Sequence, residues 1–129
     1  MLMSRRAAAV PVEEYPESTC IHDLFVAQAA RTPEHVALAD GRETWTYAQL
    51  DRLTNQLARH LKAGGIGPEV TVGCYLMNPT AVVVHILAIL KAGGRYLLLD
   101  PRLPPARVRY MVTDAARRSS FTTPLCRAW

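Results

Sequence analysis

Leu90-Lys91-Ala92-Gly93-Gly94-Arg95-Tyr96-Leu97-Leu98-Leu99-Asp100-Pro101 decides the fold of this chain. It reads as the end of a buried helix, a glycine stop, a buried strand and an acidic turn. The glycine pair ends the helix because left-handed backbone carries no Cβ penalty there. Upstream, Val70 to Met77 is a mostly apolar run bounded by Gly67-Pro68 and Asn78-Pro79. Such a run suits a strand covered on both faces, as in a parallel sheet. Ala81 to Ala92 lies between the two strands and is apolar nearly all round. Val82-Val83-Val84 favours a strand by propensity. The length of the segment and its Lys-Ala-Gly-Gly ending favour a helix. Strand, helix and strand within about 30 residues make a βαβ unit with a right-handed crossover.

Outward from this unit the elements are shorter. Ser18 or Thr19 is placed to cap a helix carrying Ile21, Leu24, Phe25, Gln28 and Ala29 on one side. Thr32-Pro33 ends it, because the residue before proline is pushed out of helical geometry. Val36 to Leu38 and Glu43 to Tyr47 read as a hairpin joined at Asp40-Gly41, near a sheet edge. Thr46 and Gln49 fit a capping box, and Leu50, Leu53, Leu57 and Leu61 follow as one apolar stripe. Gly64-Gly65 stops that helix. Pro104-Pro105 opens a last helix with Val108, Met111, Val112 and Ala115 at helical spacing. From Ala116 the period dissolves into Arg117-Arg118-Ser119-Ser120. Residues 1–17 show no period and read as a linker. The fold class is therefore α/β: a partial parallel sheet, mixed at its edge, with flanking helices.

At 129 residues this is one domain. Half of the residues are hydrophobic and a fifth are charged, as in ordinary globular chains. The net charge of +4 sits mainly at the ends, in Arg5, Arg6, Arg102, Arg107, Arg109, Arg117, Arg118 and Arg127. No aromatic residues interleave with them as single-strand binding requires, so they read as a solvated face and a basic tail, not a nucleic-acid site. The longest apolar run, Ala81 to Leu90, is interrupted by His85 and is far short of a membrane span. Cys20, Cys74 and Cys126 show neither metal-ligand nor redox spacing, which points to a reducing, cytoplasmic compartment.

Three segments, in order, resemble one family. Ile21-His22-Asp23-Leu24-Phe25 through Val36-Ala37-Leu38 is similar to the entry segment of the amino-acid adenylation domains of nonribosomal peptide synthetases. Trp45-Thr46-Tyr47-Ala48-Gln49-Leu50 resembles their first core motif, and Leu90 to Pro101 their second. Pro104, Arg107, Tyr110-Met111 and Asp114-Ala115 continue the pattern. The resemblance covers about residues 18–115 and identifies the chain as the N-terminal portion of the large subdomain of an adenylate-forming enzyme. Gln49, Asn78 and Leu98 depart from it, standing where the family usually has glutamate, arginine and proline. Such domains activate an amino acid with ATP and pass it to a carrier-protein thiol. ATP and magnesium are thus implied for the complete domain.

For this chain alone no catalytic, cofactor-binding or metal-binding residue is expected, and no cofactor. Gly64 to Gly67 and Gly93-Gly94 lack the spacing of a nucleotide loop and read as helix stops. His22, His35, His60 and His85 show no metal spacing; His60 reads as solvated and His85 as a core residue. Asp100 ends a strand and reads as a turn residue bonding nearby backbone N–H groups. The family's nucleotide loop, most of its amino-acid pocket and its lysine find no counterpart in these positions. Residues 116–129 read as a tail outside the family pattern, as a shifted reading frame would produce. The leading expectation is an N-terminal fragment of an adenylation domain, inactive by itself. Its alternative is an interaction module that self-associates or completes a split synthetase in trans. A small flavodoxin-like nucleotide binder is a third reading, weakened by the missing loop.

Overall fold

A computed structural model describes residues 18–122. Nine elements follow one another: α1 (Ile21–Arg31), β1 (Val36–Ala39), β2 (Thr44–Thr46), α2 (Tyr47–Ala63), β3 (Val70–Tyr75), α3 (Pro79–Lys91), β4 (Arg95–Leu99), α4 (Pro105–Arg118) and β5 (Ser120–Thr122). The linker read at residues 1–17, and Cys126 and Arg127, lie outside the described residues.

The sheet is parallel and ordered β4-β3-β5. In β3–β4, Thr71 pairs with Arg95 and Tyr75 with Leu99. In β3–β5, Val70 pairs with Ser120 and Val72 with Thr122. The chain steps from β3 to β4, then doubles back across β3 to β5. With right-handed crossovers this reversal puts α3 and α4 on opposite faces. The core forms on the α3 face. Ala58 and Leu61 of α2 and Ala88, Ile89 and Ala92 of the α3 segment close over Val72 and Cys74 of β3. A second cluster, Leu50, Val84 and Leu87, joins α2 and α3 to Phe25 and the hairpin. The other face is thinner, since no residue of α4 is buried.

Edge position corrects the reading of β4 as a buried strand. Its Leu99 is buried, but Tyr96 and Leu98, in register with Val72 and Cys74 and so on the α3 face, are 44% and 43% exposed. With no strand beyond β4 among the described residues, this side of the strand stays open. The hairpin also differs from expectation. It is a two-stranded antiparallel sheet of its own. Its turn spans Asp40 to Glu43, with the Asp40 carboxylate accepting from the N–H groups of Arg42 and Glu43 at 2.9 and 2.8 Å. Glu43's N–H first, then Arg42's, hold the Asp40 carboxyl below its ordinary range.

Helix ends explain the boundaries. At α2, Thr46 Oγ1 accepts from Gln49 N–H and Gln49 Oε1 accepts from Thr46 N–H, so the capping box forms as read. At α1 neither Ser18 nor Thr19 caps. Cys20 takes the position without a side-chain bond, and Asp23 in the first turn complements the helix dipole. Ile21, placed on the apolar side by spacing, is exposed. Helix α3 starts two residues earlier than its apolar period, because Asn78 Oδ1 accepts from the N–H groups of Thr80 and Ala81 and Pro79 fills the first helical position. Helix α4 runs past Ala115 to Arg118. Ser119 then donates to the Ala115 carbonyl and lies 2.6 Å from Thr71 Oγ1, tying the turn into β5 to β3.

Both glycine stops are Schellman motifs. Gly65 and Ile66 donate to the carbonyls of Lys62 and Leu61; Gly93 and Gly94 donate to those of Leu90 and Ile89. Gly93 has φ +82, and an added Cβ would meet nothing closer than Pro68 at 4.0 Å. Gly93→Ala therefore isolates backbone strain and should cost about 1–2 kcal/mol in urea unfolding at unchanged slope. Gly94 is held differently, since an added Cβ would sit 2.8 Å from Ile66 Cγ2.

Candidate functional site

In open parallel sheets, ligands gather outside the carboxyl ends of the strands where the chain reverses direction. Here the reversal falls between β3 and β5, at Tyr75 and Thr122. Thr122 is also where the described residues stop. Beside it, at the ends of β3 and β4, lies a recess of about 420 Å³ walled by Leu76, Met77, Val82 and Leu98, with Asp100 and Arg102 at one side.

Asp100 is occupied within its own turn. It accepts from the Arg102 backbone N–H at 2.9 Å, from Arg102 Nε at 3.0 Å and from Nη2 at 2.7 Å. The guanidinium, then the backbone N–H, hold its carboxyl down to about 2. A depressed carboxyl stabilises the fold above its unfolded value and loses that contribution as pH falls through its folded value. Stability should therefore decline between about pH 4 and pH 2, and Asp100→Asn should flatten that part of the profile. Urea midpoints across the range check this.

The glycine segments offer no phosphate cradle. The N–H groups of Gly64, Gly65, Gly93 and Gly94 all point into helix carbonyls. A nucleotide loop instead presents such groups outward to an anion. These four N–H groups are thus not presented to a triphosphate.

The histidines lie apart. His60 and His35 are exposed, and His85 is buried in α3 with Nδ1 2.7 Å from the Ala81 carbonyl. His22 lies at the start of α1, where Cys20, His22 and Asp23 bring their ligand atoms within 4.8 Å of one another. Pairwise spacing did not reveal this cluster; the signal was a Cys-x-His-Asp run across a helix start. Cys20 and Asp23 are exposed, His22 is partly buried, and His22 Nδ1 has no hydrogen-bond partner. Cys74 is buried in β3, as its apolar run implies. The arginines are engaged locally: Arg102 with Asp100, Arg118 with Asp114 at 3.4 Å, and Arg107 over the Tyr110 ring. Among the described residues no helix is long and apolar enough to cross a membrane.

The cation that does lie inside is Lys91. Its ammonium bonds Asp51 Oδ1 at 2.6 Å, and Thr54 Oγ1 and Asn55 Oδ1 at 2.8 Å. It therefore locks α3 to α2 and is unavailable to a ligand.

Known proteins carry similar sequences and a similar fold. A profile of the AMP-binding enzyme family matches residues 25–128. The chain belongs to this family. Zwittermicin A synthase ZmaJ of Bacillus cereus is 44% identical over 105 residues, covering 81% of this chain and 20% of that protein. Bacitracin synthase 1 of Bacillus licheniformis is 43% identical over 101 residues, covering 78% of this chain and 2% of that protein. The chain thus spans a fifth or less of these two relatives. The nonribosomal peptide synthetase FmoA3, solved with α-methyl-L-serine-AMP, superimposes with a TM-score of 0.72. That match has 24% identity and covers 84% of this chain and 14% of that one. It shows the shared fold. The chain is the N-terminal part of an adenylation domain of the nonribosomal peptide synthetase kind.

Proposed function

We propose that this chain supplies scaffold to an ATP- and magnesium-dependent, amino-acid-activating domain and does not form an adenylate by itself. The carrying observation is the fate of the glycine N–H groups. Adenylate formation needs donors aimed at a polyphosphate and at the charge that develops during transfer. The four glycines that sequence offers for this task close two helices instead. Asp100 and Lys91 are likewise paired within the scaffold. The chain's share of its relatives, a fifth or less, supports the same reading.

Its partner in this reading is the remainder of a synthetase, and its location is the cytoplasm. The segment from Ala116 is proposed as a departure from the family pattern, although the family profile extends through residue 128. Amino-acid-dependent ATP–pyrophosphate exchange tests the central statement. With the purified chain and each of the twenty amino acids, exchange should stay at background. Exchange that rises with one amino acid and requires magnesium overturns the proposal. Light scattering on the same sample reads self-association.

A further inference from the structure

The cluster at the start of α1 joins three kinds of metal ligand. Cys20, His22 and Asp23 each bring one ligand atom, and these atoms all lie within 4.8 Å of one another. The turn into the helix gathers them. Cys20 is the N-cap residue, with extended backbone at φ −74 and ψ 152, and His22 and Asp23 follow in the first turn. The ligand atoms are not engaged elsewhere. Cys20 makes no side-chain capping bond. His22 Nε2 lies 3.8 Å from Asp23 Oδ1, beyond hydrogen-bond range. His22 Nδ1 is buried without a partner, so Nε2 is the ring nitrogen left for an ion arriving from solvent. The His22 and Asp23 side chains keep 25% and 61% of their surface, which leaves the approach open.

We propose that these residues form a zinc site, with Cys20 Sγ, His22 Nε2 and an Asp23 carboxylate oxygen as ligands and water in the fourth position. Thiolate, imidazole and carboxylate are the donors that zinc takes, at about 2.0–2.3 Å. Magnesium and calcium take oxygen ligands instead and gain nothing from the thiol and the ring. Donors on one tetrahedral zinc ion stand about 3.3–3.6 Å apart. The His22–Asp23 separation of 3.8 Å is already near that value. The 4.8 Å bound on the whole cluster leaves at most about 1 Å to close, within reach of side-chain torsions at a helix start. Arg59 and Lys62 line one recess with His22 and Asp23, and the helix N-terminus is positive as well. These groups oppose a bare cation. Binding releases the thiol proton to the buffer, so one thiolate and one carboxylate cancel the two charges of the ion. The assembled site is neutral, and the positive groups around it do not expel it. Lys91, in the same recess, is held by Asp51. This site uses none of the residues that carry the proposed function, so either can fail without the other.

The test is a Co²⁺ titration of the full 129-residue chain, followed by displacement with Zn²⁺, under a phosphine reductant. Cys74 is buried, and Cys126→Ser is carried throughout, so that Cys20 supplies the thiol. Cobalt takes zinc's place and absorbs strongly when a thiolate binds it in tetrahedral geometry. Absorption should rise to one ion per chain and vanish as Zn²⁺ is added, whereas about a hundredfold excess of Mg²⁺ should leave it unchanged. Cys20→Ser and His22→Gln should each weaken zinc binding at least about tenfold, the loss that even an outer-shell partner brings. By NMR, Zn²⁺ should shift the ring signals of His22 and leave those of the exposed His35 and His60 in place. That readout needs no ligand variant, so poor folding of His22→Gln does not remove the test. Absorption that survives His22→Gln at full strength marks a thiol acting alone and overturns the proposal. An unmoved His22 ring, or displacement of cobalt by Mg²⁺, overturns it as well.

Discussion

Lys91→Met should lower the unfolding free energy by about 2–4 kcal/mol. The Lys91 side chain is 7% exposed, and its ammonium has three donors satisfied by three side-chain oxygens from α2. The Phe25 ring lies 5.1 Å from the nitrogen and adds a weaker attraction. Methionine keeps the stem and removes the charge. Thr54, fully buried, still donates to the Leu50 carbonyl at 2.8 Å but loses the donor aimed at its own oxygen. Asp51 is left as an unpaired carboxylate. Breaking a fully buried pair costs about 3–5 kcal/mol. The range here is set lower because Asp51 keeps 28% of its side-chain surface and regains water. Asp51→Asn should cost less, about 1–2 kcal/mol, since the amide oxygen still accepts. Urea unfolding of both single variants and the double variant gives the coupling. A loss below about 1 kcal/mol for Lys91→Met, at unchanged slope, would show that water already serves the ammonium.

The βαβ unit was legible because three signals agreed on it: apolar runs of strand length, an apolar helix between them, and glycines that close the helix. The capping box at Thr46 and Gln49 was legible for the same reason, as local chemistry and tertiary structure want the same thing there. Misreadings arose where a boundary depends on one side chain. Asn78 marks a strand end and a helix cap equally well, and only the structure shows its Oδ1 on two N–H groups. The exposure of Tyr96 and Leu98 was not legible, because an apolar strand does not reveal that it lies at the edge of its sheet. Nor was β5. Its three residues, Ser120, Phe121 and Thr122, are too few for a period, and their place beside β3 comes from long-range pairing.

The candidate sites divide in the same way. That the glycine pairs end helices follows from their position after an apolar period, and the Schellman bonds supply the geometry. Asp100 as a turn residue was legible from the following Pro101, but its grip on the Arg102 guanidinium was not, since Arg102 reads equally well as a solvated charge.

Ile89→Ala should cost about 3–4 kcal/mol, within the range for removing a buried aliphatic side chain. Ile89 is 1% exposed and belongs to the cluster formed by Ile66, Val72, Cys74 and Ala88. The site cannot easily collapse around the loss. Its neighbours sit on a central strand, on α3 itself and on the Schellman turn, and an added Cβ at Gly94 would already lie 3.3 Å from Ile89 Cγ2. The cavity term therefore adds to the lost transfer energy instead of relaxing away. Ile89→Val, which removes one methylene, should cost about 0.5–1.5 kcal/mol. Ile21→Ala serves as the contrast: Ile21 is 70% exposed, and its loss should stay within about 0.5 kcal/mol. Urea midpoints at constant slope order the three variants. If Ile89→Ala and Ile21→Ala cost the same, then α3 does not seal the sheet, and the core on which the fold rests is not where these contacts place it.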